Sequence, residues 1–90
     1  MTVTRTVEVI NARGLHARAS AKFVKAAAAF DAEVTVGREG TTVDARSIMG
    51  LMMLAAGQGC EIEINAEGPE AEAAMAALVK LVEDRFDEEH

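Results

Sequence analysis

Polar and apolar residues alternate from Thr2 to Ile10, with Val3, Val7 and Val9 on one face and Thr2, Thr4, Thr6 and Glu8 on the other. A period of two predicts a half-buried strand. Asn11-Ala12-Arg13-Gly14-Leu15 breaks the alternation and predicts a turn. From His16 to about Phe30 the chain is Ala-rich and of high helix propensity, with Phe23, Val24, Ala27 and Phe30 as its apolar stripe and Lys22 and Lys25 off it. Alternation returns at 32–36, with Val34 and Val36 inward. A hairpin loop at Gly37-Arg38-Glu39-Gly40 leads into a short strand around Val43, from Thr41 to Asp44. Ser47 to Ala56 predicts a short helix stopped by Gly57-Gln58-Gly59. Cys60 to Ala66 reads as a strand with Cys60, Ile62 and Ile64 inward and Glu61, Glu63 and Asn65 outward. Gly68-Pro69 opens a last helix, with Pro69 at its first position and Glu70 and Glu72 in its first turn. Its stripe is Ala71, Met75, Leu78, Val82 and Phe86.

The order is therefore β-α-β-β-α-β-α. Each strand has one apolar and one polar face, which predicts a sheet covered on one side only. The expected architecture is an α+β open-faced two-layer sandwich, a four-stranded antiparallel sheet under three helices. Ninety residues make one domain, spanning 1–86, with an acidic tail at 87–90 expected to fray.

Composition narrows the function. Half the residues are hydrophobic but only 3% are aromatic, with no Trp or Tyr, so platforms for base stacking are missing. The net charge of −6 argues further against nucleic acid and anionic membranes as partners. One Cys, Cys60, excludes an intramolecular disulfide, and two distant His, His16 and His90, have no zinc spacing, so no metal is expected. No apolar run approaches the ~20 residues of a membrane span, and the start of the chain lacks a signal-peptide core. Membrane insertion is not expected, and a cytoplasmic location is. The charge is also uneven: residues 1–50 carry a net +2 and residues 51–90 a net −8. Between Val9 and Phe30 lie Arg13, His16, Arg18, Lys22 and Lys25 and no carboxylate, a local positive potential suited to an anion or an acidic partner.

Within that segment His16 follows a Gly-containing turn and opens a helix. The first amides of a helix lack intrahelical acceptors and the dipole adds positive charge there. An anion on the ring would meet the backbone of Ala17, Arg18 and Ala19 and the Arg18 guanidinium. A neutral imidazole is also a nucleophile. No acid lies within seven residues of His16, so no local carboxylate is evident to orient the ring. On the residues alone, a capping or surface histidine fits as well. On the residues alone Ser47 reads first as a plain cap of the short helix, with phosphorylation beside Arg46 as the functional alternative. In that helix Leu51, Leu54 and Ala55 form an inward stripe, which leaves Ile48, Met49 and Met52 as an apolar docking patch. Ser20 lies one turn after His16, but no acid completes a hydrolytic triad. No P-loop spacing is present.

Gly14-Leu15-His16-Ala17-Arg18 resembles the active-centre motif of the HPr phosphocarrier family of the bacterial phosphoenolpyruvate-dependent phosphotransferase system. Arg46-Ser47-Ile48-Met49-Gly50-Leu51-Met52 resembles that family's regulatory-serine motif, and the likeness runs from about Val3 to Phe86. The resemblance implies a stoichiometric carrier rather than an enzyme, with no cofactor, the phosphoryl group originating from phosphoenolpyruvate. His16 would accept the group on Nδ1 from phosphorylated Enzyme I and pass it to a IIA-type protein, with Arg18 stabilising the phosphate. Such a histidine is expected to lie shallow and exposed, most simply on a monomer. Lys25, Ile48, Met49 and Met52 match docking positions, with Ser20 counted among them. Ser47 matches the residue modified by HPr kinase/phosphorylase. The family usually has Pro where this chain has Ala19. The relay would serve sugar uptake or nitrogen and metabolic regulation. The alternative is a regulatory protein-binding module whose phosphorylation state selects its targets.

Overall fold

The computed structural model describes residues 1–90. Strands β1 (Thr2–Glu8), β2 (Glu33–Arg38), β3 (Thr41–Asp44) and β4 (Glu61–Glu67) form one antiparallel sheet in the order β1-β4-β2-β3. Helices α1 (Ala17–Ala28), α2 (Ile48–Met53) and α3 (Ala71–Glu83) complete it, followed by a short 3-10 turn at Arg85–Asp87. The three-helix, four-strand sandwich expected from the alternation is the observed one.

The register explains why one face is covered. Val3, Ala66 and Val34 stand in one row across the strands, Ile64, Val36 and Val43 in the next, and Val7 pairs with Ile62. Along β4 the apolar positions Ile62, Ile64 and Ala66 are buried, while Glu61, Glu63 and Glu67 face solvent. The open face carries a Thr/Glu surface on which the Thr4 hydroxyl donates to Asn65 Oδ1 at 2.6 Å. The core is closed by Phe23 of α1, Leu51 of α2, Leu78 of α3 and Phe86, all fully buried.

Several boundaries differ from the sequence pattern, each for a local reason. Strand β1 ends at Glu8 because Val9 leaves the ladder, its N–H donating to Cys60 O at 2.8 Å and its carbonyl accepting from Gly59 N–H at 2.8 Å. Val3 and Val7 are only half-buried, since β1 is an edge strand, and Cys60 is half-buried just before β4. Helix α1 stops at Ala28, where Ala29 and Phe30 tighten the last turn with bonds to Ala26 and Ala27, leaving Phe30 half-buried. Helix α2 stops at Met53: Ala55 takes φ 52 and points outward, and Ala56 replaces it in the core. Helix α3 starts after Pro69, not with it, because Glu70 holds the N-cap and is tied to Asp31, its N–H donating to Asp31 O at 3.0 Å and its Oε1 accepting from Asp31 N–H at 2.7 Å. Phe86 lies beyond α3, on a left-handed turn.

The acidic tail at 87–90 lies against the body of the domain. The Ala12 N–H donates to the His90 main-chain oxygen at 2.9 Å, and Asn11 Nδ2 donates to Glu88 Oε1 at 3.0 Å. Burial of Phe86 turns the chain back onto the molecule and brings these groups within reach.

Candidate functional site around His16

The turn after β1 is tied to the segment before β4 and braced within itself by hydrogen bonds. Leu15 N–H donates to Ala56 O at 2.9 Å, Gln58 Nε2 to Ile10 O at 3.1 Å, and Asn11 Nδ2 to Gly14 O at 2.9 Å. Gly14 sits at φ 64, and a Cβ there would lie 2.4 Å from Ala56 O, so the turn needs glycine for both conformation and space. Leu15 is buried, and His16 becomes the N-cap residue of α1 in an extended conformation, with no side-chain cap. The first helical bond runs from Ser20 N–H to His16 O at 2.9 Å. The amides of Ala17, Arg18 and Ala19 precede it and have no backbone acceptor.

Glu88 approaches the imidazole from the tail. Its Oε2 lies 2.5 Å from His16 Nε2 and its Oε1 accepts from Asn11. The missing local carboxylate is therefore supplied from 72 residues away. It also changes the exposure expected of the histidine: the His16 side chain is only 15% exposed, because Glu88 covers one edge of the ring. Burial raises the Glu88 carboxyl, but hydrogen bonds from Asn11 and His16, with the charges of His16 and Arg13, outweigh it and hold the group below its ordinary range. Asn11 is fully buried, and with both uses of Nδ2 taken up, its Oδ1 is left without a donor.

The predicted residues divide into those the fold gathers and those it does not. Arg18 is exposed on the first turn of α1 and lines a cleft with Arg13, Lys22 and the tail. Ala17 is exposed, whereas Ala19 is fully buried with its side chain in the core. A shallow depression joins His16 to Arg13, Met52 and Ala55, so the imidazole and the α2 patch share one surface. Ile48, Met49, Met52 and Met53 are all exposed, Met49 and Met53 by 69% and 75%. Met53 belongs to the patch although its position in the helical period had not singled it out.

Ser20 does not belong there. It is fully buried, its Oγ donating to Leu15 O at 3.1 Å, so it braces the helix start and is not available to a docking partner. Lys25 is exposed in the last turn of α1, about 13 Å along the axis from His16. Ser47 lies at the end of α2 remote from Ala55, where its Oγ accepts from Gly50 N–H at 2.9 Å. Arg46 beside it is engaged by Asp44 and Glu33, and its hydrogen bonds hold the Asp44 carboxyl below the usual carboxylate range.

Asn11 and Glu88 are the site residues the linear pattern had not marked, while Lys22 was marked only as one charge of the basic segment. Asn11 reads as an ordinary turn residue, and nothing in the sequence connects Glu88 to position 16.

Sheet, helix order and a histidine at the start of α1 together define an open-faced sandwich presenting one imidazole beside an apolar helix. A sequence profile described as the HPr component phosphorylation site of the phosphotransferase system matches residues 3–84. The phosphocarrier protein HPr of Treponema pallidum is 45% identical over 87 residues, covering 97% of this chain and 99% of its own. The phosphocarrier protein NPr of Escherichia coli is 43% identical over 90 residues, covering 99% and 100%. A crystal structure of HPr-C-His from Thermoanaerobacter tengcongensis superposes with a TM-score of 0.93 at 42% identity, covering 98% and 99%. The chain belongs to the HPr phosphocarrier family of the phosphotransferase system.

Proposed function

We propose that the chain carries a phosphoryl group on His16 Nδ1 between phosphorylated Enzyme I and a IIA-type protein. The observation that carries this reading is the division of the imidazole: Glu88 engages Nε2, and Nδ1 has no partner within the molecule. Inward, the Nδ1 lone pair forms a bond to phosphorus as the bond from phosphorus to the donor breaks. Outward, the Nδ1–P bond breaks as the acceptor attacks. The Arg18 guanidinium and the amides of Ala17, Arg18 and Ala19 are the groups of this chain suited to the phosphate charge. No cofactor takes part, and phosphoenolpyruvate is the source of the group. Both partners would dock on Ile48, Met49, Met52 and Met53, with Lys25 at the margin. The carrier works as a monomer in the cytoplasm and is turned over by its partners rather than catalysing a reaction of its own. No helix is long and apolar enough to cross a membrane. The relay would serve sugar uptake or nitrogen and metabolic regulation, and the likeness to both HPr and NPr proteins is compatible with either.

Phosphorylation of Ser47 by an HPr kinase/phosphorylase would place a dianion at the edge of the docking patch and repel acidic partners. The size of that exposed patch also favours a second reading, a regulatory module whose phosphorylation state selects its targets. A pulldown with unmodified, phospho-His16 and phospho-Ser47 forms separates the two. Intact mass after incubation with phosphoenolpyruvate and Enzyme I tests the carrier directly. One acid-labile phosphate is expected on the wild type and none on His16→Ala. No phosphate on either, with Enzyme I shown to be active, rejects the carrier.

A further inference from the structure

Glu88 reaches His16 through an unusual backbone. Arg85, Phe86 and Asp87 run at φ 56, 54 and 63, three consecutive residues with side chains in the left-handed region. Tertiary contacts hold this reversal: the Phe86 ring is fully buried, and its carbonyl accepts from Lys22 Nζ at 2.7 Å. Asn11 and Ala12 anchor the chain beyond it. The outcome is one carboxylate seated on one ring nitrogen, 2.5 Å from Nε2. A carboxylate only accepts, so the Nε2 it faces must carry the hydrogen.

We infer that Glu88 is a positioning residue for phosphoryl transfer, keeping the proton on His16 Nε2 through both the inward and the outward step. This rests on the carrier reading above. The chemistry follows from where that proton sits. When Nδ1 takes the phosphoryl group the ring becomes positively charged, and the Glu88 carboxylate faces that charge through Nε2–H. When the group is handed on, the Nδ1–P bond breaks and its electron pair returns to Nδ1. With Nε2 protonated, the departing group is neutral imidazole; with Nε2 bare, it is imidazolate, a far stronger base and a far poorer leaving group. No proton leaves the ring in either direction, so the cycle closes without another acid or base. The other charged groups facing this cleft are Arg13 on the turn, Arg18 and Lys22 on α1, and Asp87, Glu89 and His90 on the tail.

The test uses the full chain, phosphorylated through Enzyme I, as wild type, Glu88→Ala, Glu88→Gln and Glu88→Asp. Transfer from phospho-His16 to a IIA-type acceptor is followed at about pH 6 and about pH 8.5, either side of the range where imidazole titrates. Glu88→Ala and Glu88→Gln are expected to slow transfer by about tenfold at the alkaline pH, the scale of a charge-assisted hydrogen bond. At the acid pH, where solvent supplies the Nε2 proton, they match wild type, and Glu88→Asp recovers most of the alkaline loss. Nitrogen-15 NMR of phospho-His16 should show the Nε2–H persisting to more alkaline pH in wild type than in Glu88→Gln. Equal rates in all four chains overturn the inference. So does a loss of equal size at both pH values, the signature of a merely structural role. If Glu88→Ala does not fold, the near-isosteric Glu88→Gln carries the comparison. A wild type that accepts phosphate but shows no dependence on Glu88 rejects this inference alone. A wild type that accepts none rejects the carrier reading with it.

Discussion

His16 owes its position to the turn before it and the helix start behind it. Gly14 is the tightest constraint, since a side chain there would meet Ala56 O at 2.4 Å in a left-handed conformation. Gly14→Ala should cost at least ~2 kcal/mol, more than the left-handed backbone alone, and urea unfolding at equilibrium measures it. An unchanged midpoint would mean the 56–57 segment gives way freely. Ala19 stands where the resemblance to the family leads one to expect proline. Its N–H precedes the first helical bond, so a proline removes no hydrogen bond from the helix. Ala19→Pro is expected to change the transfer rate by less than about tenfold, or roughly 1.4 kcal/mol in barrier height. A larger loss in single-turnover kinetics would show that the Ala19 amide itself holds the phosphate.

At the scale of elements, α2 is too short to sustain itself, and its stability comes from Leu51 beneath it and Ser47 at its start. Ser47→Ala deletes the acceptor for Gly50 N–H and should lower stability by about 1 kcal/mol in denaturant titration. Ser47→Asp keeps an acceptor in the cap, so it should be nearer wild type in stability while slowing exchange with partners. Equal destabilisation by both substitutions would remove the cap from the explanation. On the outer face of the same helix, Met49→Ser should change stability by less than about 0.5 kcal/mol, because the side chain is 69% exposed. Its effect belongs in the affinity for Enzyme I or a IIA-type acceptor, read by titration calorimetry.

For the molecule as a whole, the tail joins the last helix to the first turn, and stability and pH response meet there. Phe86→Ala empties a fully buried site and should cost about 3–5 kcal/mol. It also frees Glu88 from its approach to the imidazole. The Glu88 carboxyl is held below its ordinary value in the folded chain. Its contribution is therefore complete above the unfolded glutamate range near pH ~4.3 and fades as pH falls through the depressed value. Melting temperature measured from neutral to acid pH should fall less steeply in Glu88→Gln than in wild type. Parallel curves would mean Glu88 adds nothing pH-dependent to stability.

Alternation and helical spacing determined the element order, the covered face of the sheet and most of the core from Val34 to Val82, because those properties repeat within a few residues of chain. The motifs at 14–18 and 46–52 likewise made His16, Arg18, Ser47, Met49 and Met52 legible, each being a local arrangement of turn, cap and side chain, whereas Met53 was not. Ser20 was misread because its spacing from His16 describes a helix surface, and only the packing of α1 shows that this surface is buried. The roles of Glu88 and Asn11 and the course of the tail depended wholly on tertiary structure. Their contacts cross most of the chain and rely on a left-handed turn at 85–87 that no local propensity favours. Burial of Phe86 and the bonds to Lys22 and Asn11 hold that turn, and they exist only once the sheet and helices have assembled.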